Sequence, residues 1–327
     1  MKKAVAFAVC TVAASLYAGA AAAEVVLRAA TSLPSNLEFS QSFLKNFVEP
    51  LNQQGKGVIS INYVGGPETT PAPRMGSALS RGLFDILHGP ASYYAGEVPE
   101  ANALNATTVT IEELQRNGGM DYLNQIWKKK LNARILTWAE TGVRYHFFLT
   151  GEPRINDQGL DLAGMKIRTT PTYRAFLDKL GASAINISVS ELYTGLERGL
   201  VQGLGYTEIG MSVLGVGKFI KYRVDPAFYH SPVLLIMNAN SYAKLPDNAR
   251  AILDKVLADY RTKAPAMIKQ RVDEDQAALT REGMKVMELK GPGRKAYLDA
   301  AYSSLWAQLA KEVEDVEKLK SILYRPE

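Results

Sequence analysis

The sequence predicts an α/β protein in two lobes, built on open and mostly parallel sheets. Three observations carry that expectation. Short apolar pulses alternate with stretches of helical spacing through most of the chain. At 327 residues the chain is long for one core and comfortable for two. A helical pattern runs from Pro246 to about Glu282, which is longer than one lobe is wide.

The elements follow in order. Lys2 and Lys3 precede an apolar run from Ala4 to about Leu16, and small residues end at Ala21-Ala22-Ala23. That is the layout of a secretory signal over 1–23, cut before Glu24. The apolar run is too short for a membrane span, which needs about 20 residues. Val9 before Cys10 does not suit a lipoprotein signal. Val25 to Ala30 reads as a strand. Phe39, Phe43, Phe47 and Leu51 carry helical spacing, and "VISINYV" (Val58 to Val64) alternates as a strand. "GGPETTPAPRMGSALSRG" is a turn and a short helix closed by Gly82. "LFDILHG" is the next buried pulse.

Arg134 to Trp138 and Arg144 to Leu149 read as strands paired with each other. Met165 to Arg168 is a strand, followed by a helix with Thr170 at its N-cap and Pro171 at its first position. Tyr173, Phe176, Leu177 and Leu180 give that helix one apolar face, and Gly181 stops it. Ser183 to Ile187 is a strand, and Ser188 with Glu191 forms a capping-box pattern for the next helix. "LVQGLGY" and "VLLIMN" are further strands. Pro265 is expected to kink the long helix. "MKVMEL" is a short strand, and Lys295 to Ile322 a terminal helix. The sheets are expected to be interleaved.

Composition and missing motifs exclude several functions. Cys10, the only cysteine, lies inside the signal, so the mature chain has neither thiol catalysis nor disulfides. Removing 1–23 takes away two lysines and no acid, leaving 36 basic and 33 acidic residues and a formal +3. No Lys/Arg run marks a nucleic-acid surface. His88, His146 and His230 are the only histidines and none is at ligand spacing to another, so no metal site is signalled. No G-x-S-x-G elbow, phosphate loop or dinucleotide fingerprint occurs; "GVGKF" (Gly215 to Phe219) reads as a turn.

Arg168 stands apart. It ends a strand just before a helix N-terminus, which is where open α/β sheets bind ligands. A guanidinium there can hold a carboxylate through two parallel N–H···O bonds. The bland alternative is an arginine that pairs with a neighbouring acid or faces water.

The stretch "DLAGMKIRTTPTYRAFLDKLGASAINISVSELYTGLERGLVQG" resembles the central signature of the DctP-type solute receptors of tripartite ATP-independent periplasmic (TRAP) transporters. "GGPETTP", "GLFDI", "YYAGEVPEA", "KYRVDPAFY" and "MNANSYAKLP" resemble other parts of that family, so the likeness covers nearly all of the mature chain. It implies the two-lobe periplasmic-binding-protein fold with interleaved sheets, crossing strands and a long helix spanning both lobes. The expected division is 24–150 mainly in lobe 1, which also receives about 233–265. Lobe 2 is expected to take mainly 151–232 and also about 266–327.

The resemblance further implies an exported, periplasmic, non-enzymatic receptor. It would close on a small organic acid and deliver it to membrane permease subunits driven by an ion gradient. Arg168 then matches the arginine that holds the substrate carboxylate. Arg144 falls where some members place a second arginine, and Tyr206 where the family offers a ligand-facing side chain. Tyr93, Tyr94, Glu68, Trp138 and Tyr173 complete the candidate site. Gln202 replaces the family's usual aspartate, either as a backbone cap or as a change in the pocket. No cofactor and no metal are expected, although a metal bridging ligand and protein occurs in some similar receptors. A monomer is expected, with a dimer as the alternative. Two other functions stand against this one: a receptor of an ATP-driven transporter, and a secreted α/β enzyme acting on a small acid.

Overall fold

The computed structural model describes residues 23–325 apart from Gln158 and Ser188. Residues 1–22 of the expected signal, with Cys10, lie outside the described residues, as does Ser188 of the expected capping box.

Five strands form the first sheet: β1 (Val25–Thr31), β2 (Ile59–Tyr63), β3 (Ile86–Pro90), β4 (Ala133–Glu140) and β12 (Val233–Asn238). Their order is β2-β1-β3-β12-β4. β1 runs parallel to β2 and β3, and β12 is antiparallel to both its neighbours. The second sheet has six strands: β5 (Arg144–Leu149), β8 (Lys166–Thr169), β9 (Ser183–Asn186), β10 (Gly203–Thr207), β11 (Tyr222–His230) and β13 (Lys285–Glu288). Their order is β13-β11-β5-β10-β8-β9. A small ladder pairs β6 (Arg154–Asn156) with β7 (Gly159–Asp161).

The chain passes between the sheets twice as strand. β4 leads into β5 through residues 141–143, and β11 leads into β12 through Ser231 and Pro232. The expected pairing of the two middle strands is therefore wrong. β4 pairs with β12, and β5 lies between β11 and β10 in the other sheet. Residues 144–149, expected with the first lobe, belong to the six-stranded sheet.

A third connection is the helix Asp247–Arg281, which runs through Pro265 without ending. Pro265 removes one amide donor from it and crowds the carbonyl one turn earlier. At 35 residues the helix is about 50 Å long. Its first half buries Ala249, Leu253, Val256, Leu257 and Tyr260 against the first sheet, and Leu279 near its end packs in the core of the second.

Local sequence explains two departures from expectation. The first helix is not a uniform α-helix: α segments Glu38–Phe43 and Glu49–Gln54 flank a π turn, Leu44–Val48. Pro50 has no amide to give the preceding turn, and the wider turn absorbs that loss. Phe43, Phe47 and Leu51 stay fully buried on the same side. The C-terminal helix is two helices, Gly291–Leu309 and Val316–Leu323. Between them Val313 is buried, so the chain turns to keep both helices on the core. Among the described residues no helix is long and apolar enough to cross a membrane.

Candidate functional site

The site grows from a difference in strand length. β8 is paired with β10 at Ile167–Gly203 and Arg168–Leu204, and the pairing stops there, one residue before β8 ends. β10 continues through Gly205, Tyr206 and Thr207. The Arg168 side chain reaches the Gly205 backbone of this stretch, which is paired only with β5. Its Nη1 donates to the Gly205 carbonyl (3.4 Å) and to the Tyr173 hydroxyl (3.1 Å), and its Nε donates to the Ile187 carbonyl (3.2 Å). The Tyr173 hydroxyl also donates to the Gly205 carbonyl at 2.6 Å.

Thr170 is extended and Pro171 opens a 3-10 turn, Pro171–Tyr173, that brings the Tyr173 ring across β10. The expected Thr170 side-chain cap is absent; Thr170 makes no such bond. Tyr173 can lie there only because residue 205 is glycine: a β-carbon at that position would meet the ring at 2.5 Å.

Arg168 is 5% exposed. Among the described residues no carboxylate lies within salt-bridge distance of it, and its Nη2 makes no hydrogen bond. Burial disfavours the charge, opposed by the phenols of Tyr173, Tyr206, Tyr145 and Tyr93. The Tyr206 ring centroid is 5.8 Å from the guanidinium carbon, and Tyr145 lies 5.8 Å from Tyr173, ring to ring. Burial pushes the hydroxyls of Tyr93, Tyr145 and Tyr206 up, and Arg168 pulls each back. Uncharged phenols cannot neutralise an arginine. The site is thus a buried cation in a tyrosine wall with no carboxylate beside it among the described residues, and an ion left so costs several kcal/mol.

Tyr93 comes from the other sheet, in the turn Ala91–Tyr94 after β3. Arg168, Tyr206, Tyr173 and Tyr93 therefore meet where the carboxyl ends of β1 and β3 face those of β8 and β10. The remaining sequence candidates lie elsewhere. Glu68 is exposed and accepts the Gly66 amide at 2.6 Å, holding its own turn. Tyr94 is buried in the core, edge-on to Trp127. Trp138 and Arg144 line a separate cavity of about 400 Å³ with His230 and Tyr302. Gln202 is a backbone cap: its Oε1 accepts the Lys166 amide at 2.9 Å, at the opposite end of β8 from Arg168.

Two residues of the site escaped the sequence reading. Tyr145 is the neighbour of Arg144 on β5, and strand alternation alone could not say which of the two lies beside Arg168. Glu38 opens a helix after the carboxyl end of β1, the same signal that singled out Arg168.

Behind the site a polar network holds the crossing strands. His146 lies 3.0 Å from Asp225 Oδ1 through Nδ1 and 3.5 Å from Glu208 Oε2 through Nε2. Burial lowers its affinity for a proton, but the two carboxylates win and its pKa is raised. Burial raises Asp225 in turn, and His146 and Arg223 outweigh it, so its pKa is lowered. Arg223 donates twice to Asp225 and once to Gln276 on the long helix. His230 goes the other way: burial, then Arg144, lower it to about 4. Among the described residues no group of three or more potential ligands could hold a metal ion.

The family model for the bacterial extracellular solute-binding proteins, family 7, matches residues 30–312. A solute-binding protein of Albidiferax ferrireducens is 22% identical over 295 residues, covering 87% of this chain and 86% of its own. A TRAP periplasmic solute-binding protein from Chromohalobacter salexigens, crystallised with bound D-glucuronate, superposes with a TM-score of 0.77 at 17% identity, over 90% of this chain and 98% of that one. Another, from Rhodoferax ferrireducens with bound malonate, gives 0.76 at 21% identity, over 90% and 96%.

Proposed function

The chain belongs to the bacterial extracellular solute-binding proteins of family 7, which are not enzymes, and on that premise we propose that it captures a small organic acid and hands it to the membrane subunits of a TRAP transporter. The proposed place of work is the periplasm. One observation carries the reading: Arg168 is buried, held by three neutral oxygens, and has no carboxylate partner among the described residues. A ligand carboxylate supplies the missing charge on the free edge of the guanidinium, through charge-assisted bonds. Tyr206 and Tyr93 add phenol donors from the two sides, and Tyr173 fixes the arginine. The relatives crystallised with D-glucuronate and with malonate both hold carboxylates, which supports this chemistry.

Because Tyr93 follows a strand of one sheet and Arg168 lies on a strand of the other, the full contact set exists only when the sheets approach. Ligand then favours the closed form by binding it better. Capture at micromolar concentration takes about 8 kcal/mol. The ion pair alone does not supply that against its desolvation, so the tyrosine wall and closure carry the rest.

The test is thermal stabilisation of the purified protein by a panel of organic acids. An acid at a hundred times its Kd stabilises by about 2.7 kcal/mol. Arg168→Ala is expected to keep the fold and abolish that stabilisation. Wild-type affinity in the variant refutes the anchor.

A further inference from the structure

Glu38 lies at the other end of the same wall. Its Oε2 and the Tyr206 hydroxyl flank Gly210 in the segment after β10: a β-carbon there would stand 3.7 Å from the first and 3.9 Å from the second. The Tyr206 ring in turn neighbours Arg168. Tyr206 thus neighbours the Arg168 cation and, across Gly210, the Glu38 acid.

The acid has little to hold. Among the described residues no other residue donates a hydrogen bond to its carboxylate or pairs with it within 4 Å; its own backbone amide is the donor acting on it. The charged groups it faces are Arg271, Asp275 and Lys45. Arg271 donates through Nη1 to Glu274 at 2.7 Å. Asp275 accepts from the Met211 and Ser212 amides and from the Ser212 hydroxyl. Lys45 and Arg271 share with Glu38 a small cavity of about 160 Å³, and neither comes within ion-pair distance of it. Burial, with Asp275 adding to it, raises the Glu38 pKa against its own amide and Arg271. A half-buried acceptor with no donor but its own amide is a place for a ligand's donor, because a carboxylate deprived of water regains its remaining hydrogen bonds only from such a group.

We propose that Glu38 sets the solute class, accepting a hydrogen bond from a hydroxyl or ammonium group on a ligand whose single carboxylate sits on Arg168. The solutes are then hydroxy- or amino-substituted monocarboxylic acids. A dicarboxylate that reaches the acid brings like charge against it, so it is selected against. This inference rests on the anchor role of Arg168.

A matched six-carbon series separates the two ideas. Calorimetric titration uses D-gluconate, 6-aminohexanoate, hexanoate and adipate, against the wild type, Glu38→Gln and Arg168→Ala. The substituted monocarboxylates are expected to bind the wild type at least about tenfold more tightly than hexanoate or adipate. E38Q removes the charge and keeps the shape; it is expected to weaken 6-aminohexanoate and strengthen adipate. Adipate binding the wild type as tightly as the substituted acids, or E38Q leaving the ranking unchanged, overturns the Glu38 role while the anchor stands. R168A binding the series like the wild type overturns the anchor and this inference together. So does a wild type that binds none of the four.

Discussion

At the scale of single residues, the site depends on what is missing as much as on what is present. Gly205 has no side chain, and Tyr173 occupies that space while bonding to the Gly205 carbonyl. Gly205→Ala forces the ring away. The expected cost is about 1–3 kcal/mol of stability, as for other overpacked positions, and a loss of acid binding larger than the instability explains. Denaturant unfolding and titration on the same sample measure both. Arg168 was legible in the sequence because a strand pulse, two threonines and a proline fix where it stands. Glu68, Tyr94, Trp138 and Arg144 lie apart from it, because whether a residue comes near Arg168 depends on how turns and sheets pack, and no spacing along the chain encodes that. The role of Gln202 had two readings, and its bond to the Lys166 amide selects the cap.

At the scale of elements, the strands that cross between the sheets carry two histidines with opposite habits. His146 has a raised pKa, because Asp225 and Glu208 outweigh its burial. Its bridging therefore stabilises fully below about pH 6.5, the unfolded value. That contribution fades as pH rises through the higher folded value. His230 is depressed to about 4, so its neutral form is the stabilising one. Its contribution holds above about pH 6.5 and is lost as pH falls toward 4, to a limit of about 3 kcal/mol. His230→Asn is expected to flatten the acid side of the stability profile, and His146→Gln to flatten the decline above pH 6.5. Urea unfolding at a series of pH values checks both. A common response of the two variants contradicts the assignment.

The crossing itself was misread from sequence for a local reason. β4 and β5 are separated by three residues with Gly142 at a positive φ of 88°, the layout of a hairpin turn. Both strands are apolar enough to pair. Only their partners decide otherwise, and β12 and β11 lie about 80 residues further on.

At the scale of the whole molecule, the two sheets do not form separable units. One continuous core contains Ile135 and Trp138 of β4 together with Phe147 of β5 and Ile167 of β8. The helix Asp247–Arg281 joins the same two halves. Unfolding is therefore expected as one cooperative transition, with tryptophan fluorescence and far-ultraviolet dichroism falling together. Two separated transitions would show that the halves are independent. The architecture at this scale was the most legible part of the sequence. Alternating pulses and one overlong helical pattern are sums over many residues, and such sums tolerate local error.

The strand order has a consequence for how the protein is made. The first sheet cannot be completed by the amino-terminal residues, because β12 separates β3 from β4 and comes from positions 233–238 of 327. A nascent chain emerging from the ribosome holds four of the five strands with a gap in the middle until more than two-thirds of it has been synthesised. Such non-local closure is slow. Completion of that sheet is therefore expected to wait for the last third of the chain, and the amino-terminal two-thirds alone cannot close it.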